Sequence, residues 1–481
     1  MPWNLSRAQT RNPDCPRLVY LFRRGCCTAL GAAQAREWFQ SPPFAECQAI
    51  LAGQDGLLPV GRIWCSQQGL APARPYPQRK PTPTLRFDLC SLRPDLRPTI
   101  SFDASSTVGP RTGVGVYTAS LLNSLVEELP EGWQLRVWVN SPRHPLPDDP
   151  WVRSSRAEVR YTRWSGKAIL HSWRWLRTPK IERFVDEVSL HHSPAGYPTP
   201  TRNARRVLSV HDLFFRQLPA SHDPYGGGYF HRTYRRSLPL QDALICFSAA
   251  TREDILRAYH IPPASVRVIP HGVRHDIFHP ATRRDEADTL HQWTQGEPYL
   301  LSVGTLGPRK NVPLLVEAYA QLRREVPQAP RLLLVGHAAP GPLRDALQAR
   351  LRDLDVHRHV VMMGYVPDSQ IPVLYRHAMA FVFPSLDEGF GLPVLEAMAC
   401  GCPVITSTAG ALPEVAGDAA LLVPPTDREA LAASLRQLVE QPTLRTRLRA
   451  AGLSRAAQFT WPTAARSTVE AYREVLARER Q

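Results

Sequence analysis

No stretch of the 481 residues is apolar for long enough to span a bilayer, so no spanning helix is expected. The apolar patch nearest the N-terminus is short and broken by Arg23 and Arg24, which argues against a signal peptide. Neither paired C-x-x-C motifs nor H-E-x-x-H occurs, and no metal site is expected. Cysteine is sparse after residue 90. Only Cys246, Cys400 and Cys402 remain there, each beside an apolar run, as small buried residues in a reducing compartment would be. The cytoplasm is the expected location. Regular patterning is missing from residues 1–97, where proline, arginine and cysteine recur without helical or strand period and Pro72 to Pro83 reads as a turn-and-extended tract. That segment is expected to be a disordered or non-family extension. No nucleic-acid-binding module stands out, so nucleic acid is not an expected partner. The net charge of +15 then points to other anions, a nucleotide diphosphate or an anionic membrane surface.

The most organised stretch runs from Phe381 to Thr406, FVFPSLDEGFGLPVLEAMACGCPVIT. Met379 to Phe383 and Pro403 to Thr406 read as buried parallel strands. Pro393 suits the first turn of a helix that would carry Leu395, Glu396 and Met398. Glu388 then lies on a loop at the carboxyl end of a strand. Behind Gly389, the amides of Phe390, Gly391 and Leu392 face outward at the helix start. Open α/β sheets bind ligands at such loops, where free N–H groups hold anions or sugar hydroxyls. A fully helical path from Glu388 to Glu396 would separate the two carboxylates by about 12 Å. Glycosidase pairs use roughly 5–9.5 Å around one bond. The wider spacing suits a grip on two separate sugars, such as a donor hexose and the ribose of a nucleotide-sugar.

EGFGLPVLEAMACGCPVI resembles the E-x7-E signature of the group 1 (family 4) retaining glycosyltransferases, bacterial mannosyltransferase-like members in particular. The resemblance implies an α/β protein of the GT-B type, with two Rossmann-like doubly wound domains facing an interdomain cleft. It places an acceptor-side domain at residues 98–280, a linker at 281–296 and a nucleotide-sugar-binding domain at 297–460. A last helix, 461–481, would cross back onto the first domain as part of a hinge.

Further segments fit the same family. Thr99 to Phe102 reads as a first strand and Val114 to Leu129 as a helix. Between them, Arg111 to Tyr117 resembles a T-G-x-G-x-Y loop whose Gly113 and Gly115 would let backbone approach a ligand. Arg163 to Arg183 places six cations beside Trp164, Trp173 and Trp175. It reads either as an interfacial helix on anionic lipid or as a solvated basic helix with tryptophans in the core. His211 and Asp212 end an apolar strand and resemble an H-D element whose histidine faces the donor sugar. Phe214 to Leu238, rich in aromatics and arginine, is expected to shape the acceptor entrance. Ser248 and Thr251 match an S-x-x-T segment in which hydroxyls cap a helix or touch ligand. In VRVIPHGVRHDIF the family's usual aspartate is replaced by Arg274, and no contact is carried over there. Gly304 to Asn311 resembles a G-T-x-E-P-R-K-N loop with Gly307 in place of glutamate. Backbone near Val366 matches the base-contacting edge.

The resemblance therefore implies a retaining, metal-independent hexosyltransferase with no cofactor beyond its nucleotide-diphosphate sugar donor. The acceptor would be a saccharide or a lipid-linked saccharide, and the work would be done in the cytoplasm or at the inner face of the membrane. Glu388 would hold donor hydroxyls with the amides of Phe390 and Gly391, and Glu396 the ribose diol. Arg309 and Lys310 would stabilise the departing diphosphate, and His211 would position the sugar. A GT-B phosphorylase-like or non-catalytic nucleotide-sugar-binding protein is the alternative of the same fold. A basic nucleic-acid-binding protein is the alternative outside it.

Overall fold

Short apolar runs buried on both faces, separated by amphipathic helical segments, can be satisfied only by winding helices over both sides of a parallel sheet. Residues Asp88–Gln481 do this twice within one compact unit. The computed structural model describes residues 97–110, 112–216, 229–282, 286–336 and 342–479, with the backbone of two short strands near the N-terminus. Those strands, Leu21–Arg23 and Cys26–Thr28, pair antiparallel within a separate unit, Met1–Phe87. The rest of the 1–97 extension apart from Arg97, the Pro72–Pro83 tract included, lies outside the described residues, as do Arg111 and much of 214–238.

The first sheet contains β1 (Thr99–Asp103), β2 (Gln134–Asn140), β3 (Ala157–Thr162), β4 (Leu190–Ser193), β5 (Arg205–Ser209), β6 (Ala243–Cys246) and β7 (Val266–Val268). All are parallel, in the order β3-β2-β1-β4-β5-β6-β7. Its helices include α1 (Gly113–Glu128), α2 (Gly166–Trp175), α3 (Tyr229–Ser237) and α4 (Ala249–Ala258). The second sheet contains β8 (Tyr299–Val303), β9 (Arg331–Val335), β10 (Val360–Gly364), β11 (Ala380–Phe383), β12 (Val404–Ser407) and β13 (Ala420–Val423). These are also parallel, in the order β10-β9-β8-β11-β12-β13. With it go α5 (Glu286–Thr294), α6 (Val312–Glu325), α7 (Leu392–Ala399) and α8 (Trp461–Ala477). Each sheet reverses its winding once, between β1 and β4 and between β8 and β11. Crevices open outside the carboxyl ends of strands at such reversals.

The polar stretch 281–296 folds in part as α5. Glu286 is buried there and pairs with Arg376 and His377, so its charge serves an internal ion pair. The closing helix α8 returns to the first sheet and packs along α1. Its Tyr472 hydroxyl lies 2.6 Å from His192 Nδ1. At its start, Trp461 packs so tightly on Gly272 that a side chain at 272 would meet the Trp461 backbone at 2.2 Å.

The two sheets also meet through polar contacts. Ser248 caps α4 by accepting from Thr251 N, and it donates its own proton to the Gly389 carbonyl at 3.0 Å. Glu414, from the second domain, accepts from Ala249 N and Ala250 N at 2.7 Å each. A carboxylate there satisfies first-turn amides that have no intrahelical partner and complements the helix dipole. The S-x-x-T hydroxyls thus serve both helix capping and domain contact.

The tryptophans of Arg163 to Arg183 divide between core and surface. Trp173 is in the core against Trp138, Ile169 and Ile181. Trp164 and Trp175 are 45% and 59% exposed, and Leu176 is 71% exposed. Among the described residues no helix is long and apolar enough to cross a membrane. Cys246, Cys400 and Cys402 are buried free thiols.

Candidate active site

Because β8 and β11 are neighbours at the winding reversal, their carboxyl-end loops lie side by side. Side-chain and backbone contacts join them: Leu386 N donates to the Arg309 carbonyl at 2.8 Å, and Ser385 Oγ lies 2.9 Å from the same oxygen. Asn311, in the left-handed region at φ 56°, donates to the Pro384 and Pro425 carbonyls. This scaffold brings three of the sequence-predicted residues together. Lys310 Nζ donates to Glu388 Oε1 at 2.6 Å, Arg309 donates to Oε2, and Ser385 Oγ donates to Oε1 at 2.7 Å.

Glu388 is only 8% exposed. Burial pushes its carboxyl up, but the Lys310 and Arg309 charges outweigh burial and hold it below the usual glutamate value. Burial brings Lys310 down from its usual value against the pull of Glu388. Burial also lowers Arg309, yet Glu388 and Asp212 together raise it. Two cations sharing one carboxylate leave most of their N–H donors uncommitted, since guanidinium has five and ammonium three. The cluster can therefore take up a further anion.

Along the β11 loop, Gly391 adopts φ +104°, a conformation open to glycine, and starts α7 without a side-chain cap. No side chain caps this first turn; Val394 N donates to the Gly391 carbonyl at 3.0 Å, and Pro393, which has no N–H, sits in that turn as expected. Gly389 is required for another reason: a Cβ there would lie 1.7 Å from the His211 carbonyl of the first domain. The second-domain loop and His211 are thus in direct contact. His211 Nε2 lies 2.7 Å from the Pro194 carbonyl, which can only accept, so Nε2 carries the proton. Burial lowers the His211 pKa, which keeps the ring neutral near pH 7 and leaves Nδ1 as an acceptor.

Glu396 projects from α7, apart from the Glu388 cluster. Burial raises its pKa to about 7, with Arg274 opposing and Asp368 adding to the rise. Val366 buries its side chain and so offers only backbone groups to a ligand. Gly113 and Gly115 fall inside the first turn of α1 rather than in the loop before it. Gly113 is exposed with nothing within 4 Å of its missing Cβ, while Gly115 is buried. The chain's one D-x-D string, Asp353 to Asp355, ends the helix Pro342–Asp353 with Asp355 almost fully exposed beside His357.

The comparisons agree with this layout. The model described as "Glycosyl transferases group 1" matches residues 284–455, and that of "Glycosyltransferase Family 4" matches 111–277. The O-antigen chain mannosyltransferase B of Escherichia coli is 33% identical over 285 residues, 59% of this chain and 74% of that protein. This chain is a group 1, family 4 glycosyltransferase. A D-inositol 3-phosphate glycosyltransferase of Kineococcus radiotolerans is 35% identical to the transferase over 250 residues, 49% of this chain and 58% of the relative. Among solved structures, sucrose-phosphate synthase from Thermosynechococcus elongatus superposes over 79% of this chain and 100% of its own, with TM-score 0.64 and 23% identity. The lipopolysaccharide-biosynthesis glycosyltransferase WaaG does so over 77% of this chain, with TM-score 0.59 and 18% identity. These neighbours share the GT-B fold, and the two parallel-sheet domains of the transferase are of that type.

Three residues that sequence reasoning did not single out lie beside the predicted ones. Arg274, to which no contact was assigned, places its charge near Glu396 and buries its Nε without a hydrogen-bond partner among the described residues. His271 is 6% exposed, wedged between Phe390 and Trp461, and among the described residues neither ring nitrogen has a hydrogen-bond partner. Asp387 is raised to about 6 by burial and by Asp212, Asp254 and Glu388. Only the departure of Arg274 from the family pattern offered a signal in the letters.

Proposed function

We propose that the transferase moves a mannose-like or glucose-like hexose from a nucleotide-diphosphate sugar to a hydroxyl of a saccharide or lipid-linked saccharide, with retention at the anomeric carbon. The reading places it in the cytoplasm, in cell-surface polysaccharide or glycolipid synthesis, with no metal or other cofactor required. One observation carries it: the Glu388–Arg309–Lys310 cluster at the winding reversal of the second sheet, one residue from the loop's contact with His211. Arg309 and Lys310 hold the diphosphate. Glu388 keeps both cations in place and accepts from sugar hydroxyls, and neutral His211 accepts from the sugar on the opposite wall. As the bond from the anomeric carbon to the diphosphate oxygen breaks, the acceptor oxygen bonds to the same face of that carbon. The departing diphosphate takes the acceptor's proton, and the two cations stabilise the charge that develops on it.

Glu396 accepts from the ribose diol, which supplies a pH signature. Its ionised form is the better acceptor, so affinity for the intact nucleotide-sugar rises with pH through about 7. At one unit below that value binding should be about tenfold weaker, because only about a tenth of the group is ionised. Stability runs the other way: the raised carboxyl pKa stabilises the unliganded fold below about 4.5, and this is lost as pH rises through about 7. Calorimetric titration of a panel of nucleotide-sugars between pH 6 and 8, with Glu396→Gln as the pH-flat control, tests the assignment. Proton NMR of the product anomer tests the transfer. An inverted product, or turnover with inorganic phosphate as the only acceptor, would overturn this reading.

Exposed Trp164, Trp175 and Leu176 beside Arg174 and Arg177 support contact of this face with an anionic membrane surface. Sedimentation with phosphatidylglycerol vesicles should fall when Trp164 and Trp175 are both replaced by serine. Unchanged sedimentation would remove the membrane contact.

A further inference from the structure

A cavity of about 230 Å³ opens on the first domain between α2 and α3. It is smaller than the roughly 300–1,000 Å³ pockets that engulf drug-sized ligands, so it suits one compact group. Arg174, Arg232 and Arg236 line it, and among the described residues no acidic side chain does. Among the described residues no carboxylate forms a salt bridge with Arg232 or Arg236. Arg174 lies 4.9 Å over the Trp175 ring, which keeps its guanidinium plane set along an aromatic wall. Thr233 also lines the cavity. It is 8% exposed, and its hydroxyl has no hydrogen-bond partner among the described residues. A buried hydroxyl left unmatched beside three cations is a costly arrangement for an empty surface, and an acceptor-rich ligand resolves it.

The cavity adjoins the reaction cleft through one loop. Pro194 accepts from His211 on the cleft side, while Tyr197 and Pro198 line the cavity on the other. Between them Gly196, at φ +81°, brings the loop against Tyr234 of α3, whose hydroxyl would lie 2.9 Å from a Cβ at that position.

We propose that this cavity binds a phosphate or diphosphate group carried by the acceptor, holding the acceptor's sugar end toward His211. The inference rests on the transferase reading above and names the chemistry of its second substrate. Three arginines and a hydroxyl suit a multiply charged oxyanion, which planar guanidinium groups grip by paired hydrogen bonds. Trp175 and Tyr197 offer faces for the ring or chain next to it.

Binding is measured by calorimetry with three probes: mannose 1-phosphate, farnesyl diphosphate and methyl α-mannoside. At least one phosphorylated probe should bind and the neutral one should not. Farnesyl diphosphate binding the more tightly would identify a lipid-linked acceptor, and mannose 1-phosphate alone a water-soluble one; either supports the proposal. Arg232→Gln combined with Arg236→Gln should weaken the phosphorylated probes by about tenfold or more. Both side chains are on the exposed face of α3, and Thr233→Val provides a shape-conserving second variant that should weaken the same probes. Unchanged affinity in these variants would overturn the proposal. So would loss in Lys310→Ala instead, which would place the probes in the donor site. Absence of nucleotide-sugar binding by the wild type would void the transferase reading without touching the cavity result.

Discussion

Lys310→Ala is expected to lower kcat/KM for sugar transfer by about 10²–10³-fold while leaving the fold intact, the size of effect that follows removal of one preorganised charge-stabilising donor. The ammonium is largely buried, bonded to Glu388 at 2.6 Å and set 4.3 Å over the Phe383 ring, so its position is fixed before a donor arrives. Little reorganisation is then needed when charge builds on the leaving diphosphate. Alanine removes that charge but leaves Glu388 bonded to Arg309 and to Ser385, so no buried carboxylate is stranded. Circular dichroism should be unchanged and Tm lower by a few degrees at most. Near-normal kcat/KM in this variant would sink the diphosphate assignment. A higher KM with unchanged kcat would reassign Lys310 to donor binding alone.

The fold and the loop that carries Glu388 were readable in the letters because each depends on local chemistry. Ala380–Phe383 is apolar throughout, and Tyr299–Val303 apolar but for Ser302, because both faces of a central parallel strand are covered. The Pro393 helix start and the Gly389–Gly391 turn follow from backbone preference. The edge strand Ala157–Thr162 gave no such signal. One side of it is solvent, and Glu158 and Arg160 occupy positions where a central strand would carry apolar residues. The helix Glu286–Thr294 was hidden by its polar composition, since the partners of Glu286, Arg376 and His377, lie 90 and 91 residues further along. Long-range pairing also explains why the sequence suggested separate tasks for Glu388 and the Arg309–Lys310 pair, whereas in the folded chain they form one cluster. The seating of Gly389 on His211 and of Glu414 on α4 likewise needs two domains at once. Arg274 near Glu396 shows the same limit, with a departure from the family pattern as its only trace.

That clustering sets the expectation for Glu388. In Glu388→Ala, Arg309 and Lys310 lose the carboxylate that neutralises both, and an incoming diphosphate becomes the anion that replaces it. Nucleoside diphosphate affinity should therefore be retained or increased, while kcat falls about 10²-fold or more because sugar hydroxyls and both cations lose their positioning group. Glu388→Gln separates charge from shape. The amide can accept from only one of the two cations, and its N–H₂ faces the other, so kcat should fall nearly as far although side-chain volume is kept. Stability is expected to drop in both variants, since two cations are left close together in a largely buried loop. Ligand should restore much of that loss, so the rise in Tm on adding nucleoside diphosphate should exceed that of wild type. Calorimetry, steady-state kinetics and thermal shift on the same three proteins separate the outcomes. Unchanged kcat in Glu388→Ala would remove Glu388 from the chemistry. Collapse of nucleotide binding with kcat preserved would give it the ribose task instead, and Glu396 would need another.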